Sequence, residues 1–415
     1  MALLSLLFGQ YDPRDFDVRF WDGSLWASPE GRPRFTLILT HAGALRRMFA
    51  NRDEGRLGEC FVAGDFDIEG DLEAAFRLAD HLMTRHFTWR DRLALRRLLN
   101  HLPDADRSGG ATFATASLRG HTHSRARDRS AVTYHYDFSN DFFRLFLDRA
   151  MVYSCAYFAS PDEDIDTAQA RKLDYLCRKL RLRPGERLLD IGCGWGGLIV
   201  HAARAWGATA TGITLSEAQA SVAAERIREA GLESRCRVEV RDYRDLPADG
   251  RYDKIVSVGM VEHVGATRLG DFCAHAWQAL RPGGVFLLHG IGTSRPDLAH
   301  RGPFAQQYVF PDSELVSIAT TLAAAEAAGF EVRDVESLRE HYALTLRRWQ
   351  ERLQARWAEA SALAGEAACR VWRLFMAGAA YRFRINDYNL YQTLLAKPRH
   401  GTSGLPLTRA DWYRG

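Results

Sequence analysis

LLDIGCGWGGL, Leu188 to Leu198, is the stretch that decides the fold. Leu188 and Leu189 read as a buried strand, Asp190 places a carboxylate at the strand's end, and a glycine-rich turn then opens a helix. Gly192, Gly194, Gly196 and Gly197 remove side chains where a ligand must come close to backbone and where φ must turn positive. A strand, a glycine-rich turn and a helix N-terminus make the nucleotide-binding corner of doubly wound α/β sheets. A bare GxGxxG is a weak signal, because any strand-to-helix turn can carry glycines. Four glycines in the six residues from Gly192 to Gly197 are denser than a tight turn requires.

Working outward, the next segments carry chemistry at the same place in each strand–helix step. ATATGITLSEAQ predicts a second strand from Thr209 to Leu215. A nicotinamide-dinucleotide fold would end this strand in a carboxylate for the ribose 2′-OH. Here Thr214, Ser216 and Gln219 stand there, with Glu217 displaced into the helix start. CRVEVRDYRDLP predicts a third strand ending in Asp242 and Tyr243, a carboxylate for an adenine amino group and a ring to pack beside it. RYDKIVSVGMVEHVG predicts a fourth, with buried Ile255 to Val258 followed by Glu262 and His263. RPGGVFLLHGIG predicts a turn at Arg281 to Gly284, then a strand with His289 at its end. Each candidate falls just past a strand's C-terminal end, where open α/β sheets bind ligands, so the pattern predicts one site.

A chain of 415 residues is too long for one compact core, and two domains are expected. The net charge of +3 is too small to argue for nucleic acid, and no zinc-finger, RRM or homeodomain pattern occurs. Seven cysteines, an odd number without a CxxC pair, argue against a disulfide framework and for a reducing compartment. No apolar run reaches the roughly 18 residues of a spanning helix. Leu3 to Phe8 is too short and lacks the basic flank of a signal peptide, so a cytoplasmic protein is expected.

The expected organisation is a small α+β domain over 1–102, a linker over 103–130, a catalytic domain over 131–400 and a tail over 401–415. FDVRFWDGSLWAS and RPRFTLILT predict strands, and a short strand from Asp65 to Glu69 precedes a helix capped at Gly70-Asp71. In the linker, Arg119, Arg125, Arg127 and Arg129 with His121 and His123 make a basic half. It is either a solvated connection or a contact for acidic phospholipid headgroups, where each Arg would contribute about 1 kcal/mol. YHYDFSNDFFRLFLDRAMVYSCAYF follows, dense in aromatics. A helix from Asn140 to Leu147 accounts for Phe142, Phe143 and Phe146 as core and leaves Tyr136, Tyr153, Ser154 and Cys155 as site candidates. Farther on, a helix after Asp312, a strand from Phe330 to Val335 and a helix beginning at Tyr342 are expected.

LDIGCGWGGL, GITLSEAQ, RDYRD, VGMVEHVG and FLLHGIG, with YDFSNDFF and YSCAYF upstream and HYALTLRRWQ downstream, resemble the cyclopropane fatty acid synthases and mycolic acid cyclopropane synthases. The likeness runs from about Tyr134 to the end of the chain. It implies an α/β, doubly wound, Rossmann-like class I methyltransferase domain with a helical insertion, using S-adenosyl-L-methionine (SAM). The run LGECFVAGDFDIEGDLEAAF is similar to the small N-terminal domain of bacterial cyclopropane synthases, itself similar to sterol-carrier-type lipid-binding folds; lipid binding and a scaffold role both remain open. The resemblance implies SAM over Gly192, Gly194 and Gly196 with Asp190 beneath. It further implies Thr214, Ser216 and Gln219 near the ribose, Asp242 and Tyr243 at the adenine, and Tyr136, Tyr153 and Ser154 closing over the methyl group. A bound bicarbonate is implied as base, held by Cys155, Glu262, His289, the backbone at Ile291, and Tyr342; Cys155, Glu262, His289 and Tyr342 are the catalytic set. No metal is implied. One departure stands out: relatives often carry a second cysteine near the position of Ala379, and Cys369 lies too far upstream to take its role.

The chemistry these residues would serve is demanding. An isolated alkene is a poor nucleophile and must be held in line with the methyl donor in a dry pocket. Methyl transfer leaves a carbocation, which aromatic faces stabilise and water would trap. The implied reaction is methylene transfer to the cis double bond of unsaturated phospholipid acyl chains, with membrane phospholipids as partners at the inner face of the cell membrane. No nucleic-acid partner is expected, and a homodimer is left open. Methyl- or methylene-branching of the same chains is the near alternative, and a non-catalytic lipid-binding relative is the distant one.

Overall fold

Buried residues alternate along the first strands of the chain and run without alternation along the later ones, and the two patterns build two different sheets. The computed structural model describes residues 2–413 except Glu30, 51–52, 105–112, Ser117, 137–138 and Arg301, and for Tyr136 the backbone alone. Strands β1 (Phe16–Arg19), β2 (Leu25–Trp26), β3 (Phe35–Leu39) and β4 (Phe66–Gly70) form a four-stranded sheet in the order β2-β1-β3-β4. Phe16, Val18, Leu37 and Leu39 face a core completed by helices such as Leu72–Thr84, which Asp71 caps by accepting from the Ala74 amide.

The later strands are β5 (Arg187–Ile191), β6 (Thr209–Thr214), β7 (Cys236–Val240), β8 (Tyr252–Val258), β9 (Leu280–Gly292), β10 (Glu331–Ser337) and β11 (Asn389–Ala396). They form a seven-stranded sheet in the order β10-β11-β9-β8-β5-β6-β7. Strands β9 through β7 in that order are parallel, and β11 is antiparallel to both its neighbours. The chain leaves central β5 toward β6 and β7, then returns to β8 on the other side. The topological switch point therefore lies at the C-terminal end of β5, where ligands bind in such sheets. Register brings the candidates to one edge: Ile191 is level with Ile213 and Ser257, and Ser257 with Leu288. The next residue on each strand is Gly192, Thr214, Val258 or His289.

Three local expectations are revised. The turn at Arg281–Gly284 is absorbed into β9 as an irregularity, with Gly283 at φ +78°. Hydrogen bonds from the Gly283 amide to the Lys397 carbonyl and from the Lys397 amide to the Gly284 carbonyl carry the pairing past it. Part of the basic stretch before Ser130 is helical, Arg125–Tyr136, and two of its arginines are ion-paired: Arg125 with Asp245 and Arg127 with Asp312. The helix starting at Asn140 is shorter than expected and ends at Arg144, with Ser139 accepting from the Phe142 amide as its cap.

The compact units are not continuous in sequence. The first comprises 1–115, 302–309 and 357–381; the second comprises 116–301, 310–356 and 382–415. The helices Pro303–Tyr308 and Trp357–Ala364 therefore count with the N-terminal unit although they lie within the span expected for the catalytic domain. All seven cysteines are buried and none is in a disulfide. Among the described residues no helix is long and apolar enough to cross a membrane.

Candidate active site

The glycine turn opens a cleft at the switch point. Gly192, Gly194 and Gly196 take φ of +85°, +52° and +80°, a region that favours glycine. Their roles differ in what a Cβ would meet: Met260 Cγ at 2.4 Å for Gly192, Ala223 Cβ at 3.0 Å for Gly196, and nothing within 4 Å for Gly194. Gly194 alone is thus bare toward open space, while the other two permit close packing. Beneath lies Asp190, buried, with its Oδ1 lacking a hydrogen-bond partner among the described residues. Burial pushes its carboxyl up to about 7, against the pull of the nearby Lys172 ammonium. An orphaned buried carboxylate oxygen suits a cationic group, and a bare glycine before the start of helix Gly197–Trp206 suits an anionic one, a combination that fits SAM with its ammonium and carboxylate.

Around the cleft stand Tyr153, Ser154, Thr214, Gln219, Tyr243, Met260 and His263. The Thr214 hydroxyl donates to Gln219 Oε1 (2.8 Å) and accepts from the Ser216 amide (3.2 Å). Two expected cofactor contacts are diverted. Ser216 accepts from the Gln219 amide as N-cap of helix Glu217–Glu229 and does not line the cleft. Asp242 accepts from the Arg244 amide, Nε and Nη2 at 2.9, 2.8 and 2.6 Å, so both its oxygens are engaged, and it too stands outside the lining. Tyr243 is in place, its ring edge-on to Phe272 at 5.1 Å. The Tyr136 side chain lies outside the described residues.

A second, smaller cavity shares Tyr153, Ser154, Gly259 and His263 with the cleft. Cys155, Glu262, His289, Ile291 and Tyr342 all line it, although they come from four separate segments, His289 and Ile291 sharing β9. Glu262 sits in helix Val261–Val264 directly after β8, and its Oε1 accepts from the Ile291 amide at 2.7 Å. The Ile291 amide is therefore the carboxylate's anchor rather than an open donor. His289 Nδ1 meets Gln392 Nε2 at 3.2 Å, its pairing partner on β11. With the amide donating, the ring proton sits on Nε2, which has no partner among the described residues. Burial holds His289 well below its ordinary pKa, so it is a neutral donor at pH 7. The Cys155 thiol is raised by burial and donates to its neighbour's carbonyl, Ala156 O, at 3.2 Å. A neutral imidazole N–H aimed into a buried cavity, with a tyrosine at its wall, suits a small oxyanion such as bicarbonate. Tyr342 packs on Phe383 at 4.8 Å, and Tyr153 stacks on Trp349 at 5.1 Å.

Lys172, Gln392 and Thr345 escaped the sequence reading. Lys172 is buried and donates to Ser154 Oγ at 2.9 Å; burial lowers it to about 8, against Asp148, Cys155 and Asp190, which raise it. Gln169 on the same helix, Ile165–Leu180, holds the Val152 and Ser154 carbonyls. The signal was present: Gln169 and Lys172 sit at helical spacing with Leu173 and Leu176 on the apolar face. Thr345 accepts from the Ala156 amide at 3.0 Å, and only the fold brings it there.

The family model for mycolic acid cyclopropane synthetase matches residues 123–393. A probable fatty acid methyltransferase of Pseudomonas putida is 42% identical over 405 residues, covering 96% of each chain. The cyclopropane-fatty-acyl-phospholipid synthase of Escherichia coli (strain K12) is 36% identical over 300 residues, 72% of this chain and 75% of that one. Among solved structures, that of mycolic acid cyclopropane synthase CmaA1 complexed with SAH and CTAB is similar with a TM-score of 0.60 and 36% identity, covering 64% of this chain and 97% of the other. The seven-stranded sheet is that of a class I SAM-dependent methyltransferase.

Proposed function

Because the chain belongs to the mycolic acid cyclopropane synthetase family, we propose that it transfers a methylene unit from SAM to the cis double bond of unsaturated phospholipid acyl chains. The observation that supports this reading is the convergence of Cys155, Glu262, His289, Ile291 and Tyr342 on one buried cavity that shares a wall with the glycine-turn cleft. SAM is assigned to that cleft, over Gly194 and Asp190.

The alkene's π pair forms a bond to the methyl carbon as the C–S bond breaks, releasing the thioether and leaving a cation on the neighbouring chain carbon. Loss of a proton from the added methyl group lets that C–H pair close the three-membered ring. Tyr153, which lines both cavities, and Phe310, which lines the smaller one, would supply aromatic surroundings that stabilise a cation without water. A bicarbonate, when bound, would supply the base for the proton. His289 Nε2 and the Tyr342 hydroxyl would hold such an anion. Glu262, fixed by the Ile291 amide, would orient it by sharing a proton, since two bare anions repel. Lys172 holds Ser154 in the wall between the cavities.

A second reading, methyl- or methylene-branching of the same chains, is favoured by the 42% identity to a probable fatty acid methyltransferase. It needs only that the proton leave a different carbon. Mass spectrometry of lipids from cells expressing the chain tests the shared part: acyl chains gaining one CH₂ are expected, and none gained overturns it. NMR then distinguishes ring from branch.

A further inference from the structure

We propose that the helix Trp89–Asn100 of the N-terminal unit is a docking surface for a bilayer carrying anionic headgroups. This rests on the reading that the substrate chains reside in membrane phospholipids, and it locates the contact.

The helix is anchored on one side by buried Leu95 and Leu99 in the core of its unit. Its opposite side carries Trp89, Leu93, Arg96 and Asn100 at spacings of i, i+4, i+7 and i+11, which fall on one line along the axis. Trp89 is 70% exposed and Leu93 42% exposed, although both are large and apolar. Helical geometry places Arg92 beside Arg96 on one flank of that line, and Arg90 and Arg97 on the other. All four arginines are exposed. None forms an ion pair among the described residues, and the Arg90 guanidinium lies 5.3 Å from the Trp89 ring centre. The helix's one acid, Asp91, is engaged with Thr88 in the capping box and lies on the buried side.

Two of the arginines expected to meet lipid from sequence look quite different. Arg125 and Arg127 are paired with Asp245 and Asp312. A ridge of one indole and one leucine, flanked by four unneutralised guanidinium groups, matches the layering of a bilayer surface. Apolar side chains enter the headgroup boundary while arginines reach phosphates at its level.

The test is co-sedimentation of the full chain with phosphatidylglycerol-containing and phosphatidylcholine-only vesicles at low salt. Wild type is expected to partition to the anionic vesicles and to leave them as salt rises. Arg92→Ala/Arg96→Ala is expected to lower partitioning roughly thirtyfold, from about 1 kcal/mol per arginine. Trp89→Ser/Leu93→Ser should lower it at least as far, with SAM affinity and melting temperature unchanged in both variants. Wild type that ignores anionic vesicles, or variants that partition like wild type, would overturn the proposal. So would Trp89→Ser/Leu93→Ser converting a dimer to a monomer without loss of partitioning, which would make the face an interface between copies. Turnover on detergent-dispersed unsaturated phospholipid reports the reaction independently. If that turnover is present and partitioning is absent, this surface fails and the proposed function stands; the reverse pattern sinks the function and keeps the surface.

Discussion

The two adjoining cavities of the catalytic unit are made in opposite ways. The cleft is organised by main chain, with side chains standing around it: one glycine turn of consecutive residues, the ends of parallel strands, and a helix start. The small cavity is built chiefly from side chains delivered by separate segments spread from Tyr153 to Leu390. A cavity made of backbone depends on φ angles and bare glycines, so it is sensitive to any added side chain and tolerant of what surrounds it. A cavity made of converging side chains depends on each group's protonation and aim. Substitution should therefore break them through different observables, binding in the first and turnover in the second.

The largest effect is expected at Glu262. Glu262→Gln keeps an oxygen to accept from the Ile291 amide but loses the charge; Glu262→Ala loses both. Both should reduce turnover by about 10²–10⁴-fold, the range for a positioned acid–base group. SAM affinity should be unchanged in calorimetry. The alanine variant alone should also lose stability, by about 1–3 kcal/mol, because a buried amide is left unsatisfied. Near wild-type turnover in Glu262→Gln, or a rate indifferent to bicarbonate depletion, would exclude the acid–base assignment.

Gly194 tests the other side. Its Cβ position is open, so the Cβ of Gly194→Val meets no protein atom within 4 Å, but the branched side chain would stand where the ligand approaches. The positive φ adds about 1–2 kcal/mol of strain. SAM affinity should fall at least about a hundredfold while the fold survives. Unchanged affinity would remove SAM from this cleft. Gly192→Ala would instead strike Met260, a flexible side chain able to move, and should cost less.

This contrast also explains what could be read from sequence. The cleft was legible because glycines, a strand and a carboxylate lie within a dozen consecutive residues, and periodicity places each strand end. Glu262 and His289 were legible for the same reason, as residues just past strands. Gln392 and Thr345 were not, because their relevance comes from β11 and from helix Arg339–Ala355 folding back against the site; Lys172 left only its helical spacing with Gln169 as a signal. Asp242 and Ser216, expected at the cofactor, are engaged locally instead, because a carboxylate or hydroxyl past a strand end has local uses, an ion pair two residues on and a helix cap. The discontinuous units escaped for a similar reason: a segment such as 357–381 is ordinary amphipathic helix in sequence, and only its packing assigns it.

A smaller effect separates the cavities by pH. Burial raises Asp190 to about 7, so it is ionised above that pH and neutral below it. SAM carries a sulfonium and an ammonium, and the ionised carboxylate should bind it better. Affinity should thus weaken as pH falls through about 7, by up to tenfold per unit, the limit for one proton whose uptake opposes binding. Asp190→Asn should flatten that slope, read by calorimetry from pH 6 to 8. An unaltered slope in Asp190→Asn would assign the titration to another group.

The smallest effect expected is also the most specific to the side-chain cavity. Gln392 itself lines neither cavity; it meets His289 Nδ1 from the antiparallel strand opposite. Its role is to keep the imidazole proton on Nε2, facing the cavity. Gln392→Leu retains volume and the strand pairing but removes the donor, so the proton is free to occupy either nitrogen and the ring loses one orientation restraint. The loss corresponds to about one net hydrogen bond, roughly 1 kcal/mol or fivefold in turnover. KM for SAM should not move, because the cleft is untouched. Nitrogen NMR of His289 should show the two tautomers mixing in the variant where wild type shows one. A variant with wild-type turnover and an unmixed tautomer would mean that the cavity, not Gln392, fixes the ring, and the aim of the side-chain site would then have to come from Glu262 and Tyr342.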